Sequence, residues 1–540
     1  MNLAQVHEAI SDRVPHRDCI VYRDRRFTWA EVTDRTRRLA DVLRRHGLGC
    51  RVEREDLTNW ESGQDHVALY LHNGNEYLEG MLGAFKARCA PFNVNYRYVE
   101  EELLYLFENS KARAIIYHAA FAPTLQKIRH RLPEELLLIQ VADGSENPLL
   151  SGSIDYETAL AQASPVPPKG LSLDDLYILY TGGTTGMPKG VLWRQEDVFL
   201  GALTAKKPDS LEALLEHIQS RSPIRALPTP PFMHGAAHWV AFNIWHVGGT
   251  IVVQDEVERL DPDDIWTTVE REKVHSLAIV GDAFARPLID QLRHKTYDLS
   301  SLTRVTSGGA IFTASLKQEL LDLLPQIRIL DALGSSESGS QALHTSTHKG
   351  GASTGRFDLG ADSVVLSDEL SEVLEPGSTQ RGWLARSGWV PLGYYRDEKK
   401  TRETFPLIKG VRYSVPGDRA MIEPDGQVRL LGRDSVTINS GGEKIFAEEV
   451  ELALKHHPSV YDCVVCGTPS ERWGSQVTAI VQLREGVSVT EEELNQTAGE
   501  HISRYKLPKA FVFVGDIVRA PSGKADYRWA RETAADTMES

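Results

Sequence analysis

The segment Tyr180–Gly190 (Tyr-Thr-Gly-Gly-Thr-Thr-Gly-Met-Pro-Lys-Gly) concentrates residue types that bind phosphate groups. Its glycines let the backbone approach an anion closely, and successive N–H groups can form an anion-binding nest. Thr184 and Thr185 add hydroxyl donors, and Lys189 adds a fixed positive charge. The segment is not the usual P-loop, because Lys189 is followed by Gly190 rather than by Ser or Thr. A plain turn between two strands would need one or two glycines, so the composition favours a phosphate-binding loop.

A glutamate follows a predicted strand at a place where ligands bind. The strand Ile327–Ala332 leads into Leu333–Gly339 (Leu-Gly-Ser-Ser-Glu-Ser-Gly). Open α/β sheets bind ligands at the carboxyl ends of their strands. Near a triphosphate, Glu337 would suit Mg²⁺, which prefers one or two carboxylates together with phosphate oxygens. Read alone, the segment also fits a helix N-cap with a glutamate in the first turn.

Three further charged residues occur on predicted turns. Asp418 ends the segment Tyr413–Asp418, and Arg433 follows the next predicted strand. An acid and an arginine could hold the two ribose hydroxyls, with the acid accepting from both. Lys524 lies in the small-residue loop Pro521–Lys524, and a lysine on a mobile element can neutralise charge during one step and then leave. Each residue alone is typical of an ordinary turn or a solvated surface, so only their combination indicates a site.

Cysteine and histidine spacings give only weak indications of a metal site. Cys463 and Cys466 have CxxC spacing, but the intervening valines are typical of a buried strand and no second ligand pair lies nearby. His234 and His238 are four residues apart, but the zinc motif needs a Glu after the first histidine, where Gly235 stands. On its own, His234 is more typical of a hydrogen-bonded core histidine.

The elements that must hold these residues alternate between strands and helices. This alternation, at this spacing, predicts βαβ units and a largely parallel sheet. The predicted strands are His66–Leu71, Leu176–Tyr180, Ile251–Gln254, His275–Val280, Arg304–Thr306 and Ile327–Ala332. The predicted helices are Phe27–Leu48 with Thr28 as its cap, Asp263–Lys273 with Asp261 as its cap, a helix from the cap Asp282 to Leu292, and Ala314–Leu324.

Other segments break this alternation. Residues 50–64 form a predicted surface loop, and residues 206–224 a predicted segment outside the core with a short helical pattern at Leu211–Ile218. The glycine- and proline-marked region Pro376–Gly393 predicts shorter antiparallel strands. After Gly432 the pattern changes, and about 100 residues can fold as a separate small α+β lid.

The composition limits the class of protein. The chain has 540 residues, too many for one core, and its length predicts two to four domains. A net charge of −15 argues against non-specific binding to nucleic acid or to an anionic membrane surface. The N-terminus does not read as a signal peptide, and no apolar stretch approaches the ~20 residues that span a bilayer. With five cysteines, these features predict a multidomain protein of the cytoplasm.

Taken together and in this order, the motifs resemble those of the adenylate-forming superfamily. This superfamily contains acyl-CoA synthetases, carrier-protein-loading adenylation domains and firefly-type luciferases. The resemblance runs over about residues 27–524, and the segment Gly441–Glu451 resembles a further family motif. The motifs that carry it are the Thr/Gly/Lys loop, Ser335-Ser336-Glu337, Gly417-Asp418, Arg433 and Gly523-Lys524. Several such motifs in family order are highly specific.

For the nucleotide, the resemblance implies a site of loop and strand-end residues. The triphosphate loop would be Thr181, Gly182, Gly183, Thr184, Thr185, Gly186 and Lys189. The adenine and α-phosphate side would be Gly308, Gly309, Ala310, the strand end at Asp331, and Gly334, Ser335 and Ser336. Asp418 and Arg433 would hold the ribose, and Glu337 would bind Mg²⁺.

The resemblance also implies the catalytic residues and the site for the acid. Lys524 would contact the carboxylate and the α-phosphate, and the catalytic set would be Lys524, Glu337, Thr184 and His234. His234 would gate the acyl pocket. The other pocket residues would be Trp239, Phe242, Gly281 and Asp282, and the hinge of the lid would be Asp434 and Ser435.

The sequence departs from the family pattern at a few positions. Gly182 removes a hydroxyl from the phosphate loop, and Leu333 replaces an aromatic residue that would stack on adenine. Ser435 occupies a hinge position that is usually Asp or Lys, and Ala447 replaces a proline. None of these departures removes a charged catalytic group. Together with the loop and the segment Ile438–Lys444, they resemble a subgroup of actinobacterial acyl-CoA synthetases that includes ligases of steroid side-chain acids.

We therefore expect an α/β protein with two domains. Residues 1–432 would form a large N-terminal domain of parallel and mixed sheets flanked by helices, plus a β-rich subdomain. Residues 433–540 would form a small, mobile α+β C-terminal lid. The expected activity is that of an ATP-dependent, AMP-forming acyl-CoA ligase that uses Mg²⁺ and coenzyme A, with a medium- or long-chain fatty acid or a steroid side-chain acid as substrate.

Three alternatives to this activity stay open at this point. The chain could load a carrier protein instead of CoA, it could stop at the acyl-adenylate, or it could be a non-catalytic paralogue that binds acyl groups or nucleotides. The expected partners are the acid, ATP and CoA, without nucleic acid or a membrane span, and a homodimer stays open as well.

Overall fold

The large N-terminal part of the chain is built from sheets with helices on their faces, and a smaller α+β part follows it. The computed structural model describes residues 1–183, 186–204, 207–440, 443–470, 473–520 and 522–539. The predicted fold class is confirmed. The residues singled out in the sequence that lie outside the described residues are Thr184, Thr185, Lys206, Gly441, Gly442 and Pro521.

Helices occur in both parts of the chain. Within the described residues the α-helices are α1 (Leu3–Arg13), α2 (Trp29–Arg45), α3 (Asn75–Lys86), α4 (Glu100–Ser110), α5 (Ala122–Ile128), α6 (Tyr156–Gln162), α7 (Gln195–Gly201), α8 (Leu211–Gln219), α9 (Gly235–Trp245), α10 (Pro262–Glu272), α11 (Gly281–His294), α12 (Ala314–Leu323), α13 (Glu398–Thr404), α14 (Ala447–Leu454), α15 (Glu491–Gly499) and α16 (Tyr527–Glu539). None of the helices in these ranges is both long enough and apolar enough to cross a bilayer.

The strands fall into several sheets. Those of the N-terminal part are β1 (Asp18–Tyr22), β2 (Arg25–Thr28), β3 (His66–Tyr70), β4 (Ala90–Asn93), β5 (Ala112–His118), β6 (Leu137–Val141), β7 (Ser153–Asp155), β8 (Leu176–Gly183), β9 (Gly186–Arg194), β10 (Arg225–Pro228), β11 (Thr250–Val253), β12 (Ser276–Ile279), β13 (Arg304–Gly308), β14 (Arg328–Ser335), β15 (Gly339–Thr347), β16 (Arg356–Leu359), β17 (Ser363–Leu366), β18 (Gly382–Arg386), β19 (Gly393–Tyr394), β20 (Leu407–Ile408), β21 (Val411–Arg412), β22 (Asp418–Ile422) and β23 (Val428–Arg433). Those that follow are β24 (Thr437–Ser440), β25 (Glu443–Phe446), β26 (Val460–Ser470), β27 (Gly474–Leu483) and β28 (Ala510–Val514).

Local sequence signals explain where several helices begin. Glu31 accepts from the Thr28 N–H at 2.7 Å while the Thr28 hydroxyl accepts from the Glu31 N–H at 3.2 Å, which is a capping box at the start of α2. Asp261 accepts from two N–H groups of the first turn of α10, whose first residue is Pro262. The sequence predicts both caps.

The largest sheet combines a parallel half with an antiparallel half. Its strand order is β17-β18-β22-β23-β16-β15-β14-β13-β12-β10-β11-β1-β2. The strands β1, β11, β10, β12, β13 and β14 run parallel, and α9 to α12 connect the last five of them. From β14 to β17 the neighbours are antiparallel, which is the predicted β-rich subdomain. The carboxyl ends of β12, β13 and β14 therefore meet at one edge, next to the antiparallel half.

The hairpin β8–β9 is anchored on both of its faces. It joins β19 in a small antiparallel sheet, and it lies between the large sheet and the five-stranded parallel sheet β4-β3-β5-β6-β7. Tyr177 and Leu179 enter one hydrophobic core, whereas Ile178 and Tyr180 enter another. The base of the predicted phosphate loop is therefore held rigidly by packing.

The C-terminal part has a core of its own. The sheet β26-β27-β28 carries α14 and α15 on one face and α16 on the other. Cys463 and Cys466 are buried on opposite faces of β26, so their CxxC spacing separates the two thiols. Strand β23 ends at Arg433, one residue past the predicted end of the first domain.

Helix α8 belongs to the core, so the prediction for residues 206–224 is wrong. Leu214, Leu215 and Ile218 are buried in the same hydrophobic cluster as α1 and α2. Polar flanks dominate the composition of this segment, but three apolar residues spaced along one helical face are enough to dock a nine-residue helix.

Candidate active site

The segment predicted to bind phosphate forms a hairpin between β8 and β9. Thr181 pairs with Lys189 and Gly183 pairs with Gly186, with a register irregularity between the two pairs. A Cβ atom added to Gly182 would meet no atom of the described residues within 4 Å, so packing against them does not require a glycine there. The hairpin places a threonine and a lysine on neighbouring strands just below the tip.

The ammonium group of Lys189 is paired with a carboxylate. Its partner Asp397 is the N-cap of α13, and the other oxygen of Asp397 accepts from the Lys400 N–H at 2.9 Å. The Lys189 side chain keeps 44% of its exposure, so an anion can reach it. Next to it, Gly190 packs against the Tyr180 ring, where a Cβ atom would lie only 2.9 Å away. An anion entering the hairpin tip would compete with Asp397 for the lysine.

Glu337 lies in the tight turn between β14 and β15. The Tyr394 hydroxyl donates to Glu337 Oε1 at 2.9 Å, and the Ser414 hydroxyl donates to the Glu337 carbonyl at 2.6 Å. Trp193 Nε1 donates to the Ser336 carbonyl at 2.9 Å. Burial and the Glu337 charge raise the pKa of Tyr394, which keeps its phenol protonated and donating. The alternative of a helix N-cap is wrong, because a strand follows the turn.

Small residues allow this turn to be tight. A Cβ atom on Gly334 would lie 2.2 Å from the Gly339 carbonyl oxygen, and the strand register shifts between Leu333 and Gly334. Ser335 Oγ lies 2.9 Å from Ser338 Oγ across the turn. Gly334 is therefore required by the close approach of two backbones.

Asp418 and Arg433 face each other across β22 and β23. They are register partners, and Arg433 Nε donates to Asp418 Oδ1 at 3.1 Å. The charge of Asp418 raises the pKa of Arg433. The Asp418 side chain is 8% exposed and that of Arg433 is 38% exposed. The pair presents a buried acceptor beside a more accessible donor.

Lys524 reaches from the C-terminal part to the edge of the large sheet. Its Cε lies 3.8 Å from the position that a Cβ atom on Gly309 would occupy. The preceding Gly523 has a φ of +73° and packs against Val280, where a Cβ atom would lie 2.9 Å from the valine Cγ1. A side chain at position 523 would therefore push the loop and Lys524 away from the sheet.

Four charged residues from separate motifs meet at this edge. Desolvation and the charge of Arg433 lower the pKa of Lys524, while the carboxylates of Glu337 and Asp418 oppose this change. The two carboxylates thus favour the charged form of Lys524 at this edge. The structure thus brings together the residues that the sequence predicts for the metal, the ribose and the α-phosphate.

The loop after β13 approaches its neighbours closely. Gly309 has a φ of +87°, and Gly308 ends β13. Gly281 has a φ of +52°, and a Cβ atom there would lie 2.3 Å from the Ile311 carbonyl oxygen. Ala310 packs at the edge of the core beneath β12 and β13. These small residues leave the backbone of the loop accessible to a flat ligand.

Asp331 does not lie at a strand end, because β14 continues to Ser335. Its carboxylate pairs with Lys317, which also donates to the Ser353 carbonyl at 2.6 Å. Burial raises the pKa of Asp331, although Lys317 opposes the change. The carboxylate therefore ties β14 to α12, and its role in an adenine pocket stays a prediction.

His234 is the N-cap residue of α9 and lies near Lys524. Within the described part of the chain, its buried Nε2 atom has no hydrogen-bond partner. Burial lowers the pKa of His234 to about 3, and Lys524 adds repulsion. The imidazole is therefore neutral at ordinary pH, and its ring nitrogen can bind a polar group of a ligand. This differs from the hydrogen-bonded core histidine that position 234 suggests when it is considered alone.

A chain of hydrogen bonds fixes the indole of Trp239. Trp239 Nε1 donates to the Tyr177 hydroxyl at 2.9 Å, and this hydroxyl contacts His238 Nε2. His238 Nδ1 lies 2.7 Å from the Phe232 carbonyl oxygen, so Nδ1 carries the proton and Nε2 accepts from Tyr177. Burial lowers the pKa of His238 to about 4, which maintains this neutral tautomer. The Trp239 ring also meets Trp193 edge-on at 6.4 Å.

Phe242 differs from Trp239 in its surroundings. Ala236, Trp239 and Asn243 lie on the stripe of α9 that keeps solvent exposure. Phe242 is 2% exposed, and its ring packs 5.3 Å from that of Trp245. Phe242 therefore supports the core behind α9, and its contact with an acyl group stays a prediction.

Asp282 connects two parts of the chain. It lies in the first turn of α11, whose N-cap is Val280, so the predicted cap at Asp282 is wrong. One carboxylate oxygen accepts from the Thr313 N–H at 2.8 Å, and the other lies 3.1 Å from Lys455 Nζ in the C-terminal part. These contacts fix the carboxylate, and the role of Asp282 in binding the acid stays a prediction.

The predicted hinge is a short 3₁₀ turn, Asp434–Val436. The Asp434 N–H donates to the Gly417 carbonyl at 3.0 Å. Gly432 has a φ of +132°, and a Cβ atom there would lie 2.6 Å from Glu448 Oε2. The junction between the two parts is therefore crowded, and only glycine fits at position 432 without a shift of its neighbours.

Several residues at the site escape sequence reasoning. Tyr394 contacts Glu337 and Asp397 contacts Lys189. Tyr394 ends the short strand β19 and Asp397 follows it, in a stretch that carries no motif among those interpreted above. Tyr394 and Asp397 can be recognised as site residues only when the pairing of β19 with β9 is known.

Comparisons with known proteins agree with this geometry. Residues 7–395 match the model of the family of AMP-binding enzymes, and residues 449–524 match that of the AMP-binding enzyme C-terminal domain. The chain is 51% identical over 538 residues to the medium-chain acyl-CoA ligase Mig of Mycobacterium avium, covering 98% of each chain. It is 41% identical over 550 residues to the 3-oxocholest-4-en-26-oate–CoA ligase of Rhodococcus rhodochrous, covering 98% of this chain and 96% of that one.

A solved structure shows the same fold at low sequence identity. The anthranilate CoA ligase AuaEII in complex with anthranoyl-AMP superposes with a TM-score of 0.82 at 20% identity, covering 100% of this chain and 98% of that chain. The resemblance inferred from the motifs is thereby confirmed, and the chain belongs to the family of AMP-binding enzymes.

Proposed function

We propose that the chain is an AMP-forming acyl-CoA ligase, which converts a carboxylic acid, ATP and CoA into acyl-CoA, AMP and pyrophosphate. The observation that carries this proposal is the meeting of Lys524, Glu337, Asp418 and Arg433 at one edge of the large sheet. Two cations and two carboxylates from separate segments are suited to a nucleotide with a metal ion. The names of the relatives from M. avium and R. rhodochrous as CoA ligases support the same reaction class.

The first half-reaction would join the acid to AMP. A carboxylate oxygen of the acid attacks the α-phosphorus of ATP, the bond to the β-phosphate oxygen breaks, and pyrophosphate leaves with that electron pair. No protein nucleophile and no proton transfer are needed. Negative charge grows on the non-bridging oxygens in the transition state, where a preorganised cation is most effective. We assign this role to Lys524, which is held over Gly309 by the packing of Gly523.

The proposal includes Mg²⁺ bound together with ATP, with Glu337 as its protein ligand. In the described ranges no three His, Cys, Asp or Glu side chains group as a metal site. A single carboxylate suits Mg²⁺, because this ion completes its shell with phosphate oxygens and water. When bound, the ion would offset phosphate charge. Tyr394 and Ser414 hold the turn of Glu337 in place from outside the motif.

The remaining nucleotide contacts follow from the same edge. The hairpin residues Thr181 to Lys189 would hold the β- and γ-phosphates, and the backbone of Gly308–Ala310 would line the adenine. Asp418 would accept from the ribose hydroxyls, with Arg433 as the neighbouring donor.

We propose a medium- or long-chain fatty acid or a steroid side-chain acid as the substrate. The names of the two relatives support these classes. The partly exposed stripe of α9, with Trp239 on it, starts at His234 and so leads away from Lys524. An acid bound along this stripe would place its carboxylate near Lys524 and its apolar part against the helix. The neutral imidazole of His234 would lie between the two.

The second half-reaction would transfer the acyl group to CoA. The thiol loses its proton to solvent, the thiolate attacks the acyl carbonyl, and the bond between the carbonyl carbon and the phosphate oxygen breaks, releasing AMP. In the present arrangement Lys524 would occupy one approach to this carbonyl. A turn of the C-terminal domain about Asp434 and Ser435 would withdraw the lysine and open the approach.

The proposal is tested with purified protein and a panel of acids. We expect pyrophosphate and AMP to form only when ATP, Mg²⁺ and a suitable acid are all present, and acyl-CoA to form once CoA is added. Acyl-adenylate that accumulates in the presence of CoA would instead indicate a carrier-protein acceptor. Nucleotide binding without pyrophosphate release for any acid would indicate a non-catalytic paralogue and contradict the proposal.

The proposal also covers the location of the protein in the cell and its oligomeric state. All five cysteines, each within the described residues, are free thiols, which supports a cytoplasmic location where ATP and CoA are also available. A homodimer would be detected by light scattering of the purified protein.

A further inference from the structure

A buried ion pair joins the C-terminal part to the N-terminal part beside the site. Nζ of Lys455, at the carboxyl end of α14, lies 3.1 Å from Oδ2 of Asp282, in the first turn of α11. The two side chains are 7% and 6% exposed. Nearby, the guanidinium of Arg286 lies 4.7 Å from the ring centre of Tyr461, so α11 contacts the C-terminal part both at the end of α14 and at β26.

Within the C-terminal domain, further ion pairs and hydrogen bonds connect Lys455 to the loop that carries Lys524. Lys455 Nζ also lies 3.0 Å from Asp462 Oδ1, and Arg519 binds both oxygens of Asp462 at 2.6 and 2.8 Å. Arg519 also donates to the Gly523 carbonyl at 3.3 Å, directly before Lys524. A chain of charged side chains therefore connects the domain interface to this loop.

On the side of the N-terminal domain, the pair is continuous with the proposed adenine loop. Asp282 Oδ1 accepts from the N–H and the hydroxyl of Thr313 at 2.8 and 3.2 Å, and the Asp282 N–H donates to the Ile311 carbonyl at 2.9 Å. This segment directly follows Gly308–Ala310, the loop over which Lys524 lies. The carboxylate of Asp282 thus binds the lid and the loop at the same time.

We infer that Asp282 and Lys455 are positioning residues that orient the C-terminal domain so that Lys524 reaches the α-phosphate in the first half-reaction. This inference rests on the proposed function and deepens it, because it assigns a task to the contacts of Asp282 with Lys455 and Thr313, separate from the predicted role of Asp282 in binding the acid. They act through Lys524, by way of Asp462 and Arg519. Once the domain turns away, the second half-reaction proceeds without the pair.

The energetics of buried ion pairs explain why such a pair selects one orientation. Taking two charges out of water is costly, and their attraction offsets that cost only when the geometry is good. The pair therefore adds little net stability, but it penalises any closed arrangement in which the two groups fail to meet. Removing Asp282 leaves Lys455 and Arg519 to share the single carboxylate of Asp462, and removing Lys455 leaves the buried carboxylate of Asp282 without its ion partner. Either loss leaves a buried charge uncompensated, which costs more than removing both members of the pair.

The test compares the two half-reactions in Asp282→Asn, Lys455→Met and the double variant. The asparagine of the first variant keeps an oxygen that can accept from Thr313, so the loop is preserved. We expect each single variant to lower the rate of acyl-adenylate formation by about tenfold or more, because the remaining partner opposes closure. Thioester formation from pre-made acyl-adenylate and CoA should stay near the wild-type rate. The double variant should be no slower than the slower single variant.

A matched control breaks an ion pair that lies wholly within the C-terminal domain. Lys506 Nζ lies 2.5 Å from Glu449 Oε1, and Lys506→Met should leave both half-reactions near the wild-type rate. Equal losses in both half-reactions for Asp282→Asn would overturn the inference, as would additive losses in the double variant.

A second measurement is independent of activity. Spin labels on α15 and α12 report the distance between the domains, and we expect a narrow distribution in the wild type that broadens in Asp282→Asn but not in Lys506→Met. An unchanged distribution in Asp282→Asn would overturn the inference. If no acid yields an acyl-adenylate while the distribution responds as expected, the proposed function fails and the positioning pair stands.

Discussion

Lys189 and Asp397 form an ion pair that joins β9 to the start of α13, although they lie 208 residues apart in the sequence. Lys189 is the cation that we propose for the phosphates of ATP. Asp397 holds it with one carboxylate oxygen while the other oxygen caps α13. Binding of a triphosphate therefore has to compete with a carboxylate of the protein itself.

Asp397→Asn should strengthen ATP binding. Asparagine retains the oxygen that caps α13 but removes the charge that competes for Lys189. Pairs with this degree of exposure contribute up to about 1 kcal/mol, so we expect the KM for ATP to fall by up to about fivefold. Glu398→Gln, which alters the next acid on α13 and its pair with Arg402, should leave this KM unchanged. Steady-state kinetics with ATP as the varied substrate measure this KM. A raised KM in Asp397→Asn would contradict the prediction and would mean that Asp397 orients Lys189 towards the nucleotide.

Lys524→Ala should separate the two half-reactions. Removing a preorganised donor that acts on transition-state charge costs about 10²–10³ in rate, so acyl-adenylate formation should fall by at least that factor. Thioester formation from supplied acyl-adenylate and CoA should stay close to the wild-type rate, because Lys524 has no role there. Lys509→Ala, at an exposed lysine of the same domain, is the matched control. Equal losses in both half-reactions would contradict the assignment.

Residues in local motifs are those that the sequence predicts well. Glu337, Asp418, Arg433 and Lys524 are each marked by flanking glycines or small residues, and the structure brings them to one edge. Backbone constraints explain this success, since Gly523 has a φ of +73° and Gly334 lies too close to the Gly339 carbonyl oxygen to carry a side chain. A functional residue that depends on a tight turn can be predicted, because the turn requires glycines or small residues next to it in the sequence.

Ion pairs between distant segments could not be predicted from the local sequence. Asp397 pairs with Lys189 across 208 residues, and Lys455 pairs with Asp282 across 173. The local sequence predicts a helix cap at Asp282, because an aspartate before a helical pattern usually is one. Its partner comes from another domain, so the position of the carboxylate could not be predicted from its neighbours in the chain.

Ser435→Pro should affect the second half-reaction. Proline fixes φ near −65°, a value that 3₁₀ helices use, so the variant should hold Asp434–Val436 in its present conformation. We expect acyl-adenylate formation to continue and thioester formation to become slow, as measured by pyrophosphate release and by acyl-CoA production. Ser435→Ala, which leaves the backbone free to turn, is the control. Rapid thioester formation by the proline variant would place the hinge elsewhere.

Acid should destabilise the folded chain before its carboxylates titrate. Burial lowers the pKa of four histidines to about 4, and these are His66, His118, His238 and His246. The unfolded chain takes up these protons near pH 6.5, so the stability that they contribute is complete above that pH and is lost as the pH falls towards 4. Each contributes up to about 1.4 kcal/mol per pH unit in this window. The thermal midpoint should therefore fall steeply from pH 6.5 to 5, and His246→Gln should reduce this slope. A flat midpoint over that range would contradict the expectation.

The hydrogen-bond chain behind Trp239 should set which acids are accepted. Trp239→Ala should shift preference towards bulkier acids, because a large indole leaves the exposed stripe of α9. Tyr177→Phe keeps the indole but removes the hydroxyl that accepts from Trp239 Nε1 and donates to His238. The indole then loses the hydrogen bond that fixes its position.

We expect Tyr177→Phe to broaden the acid profile in the same direction as Trp239→Ala, with the KM values for ATP and CoA little changed. Tyr156→Phe removes another buried phenol, which donates to Glu79 at 2.7 Å, and should leave the acid profile unchanged. Initial rates over a series of acids of increasing size make the comparison. If Trp239→Ala broadens the acid profile and Tyr177→Phe does not, core packing rather than the hydrogen bonds holds the indole in place. If neither variant changes the acid profile, the acid binds away from this face of α9.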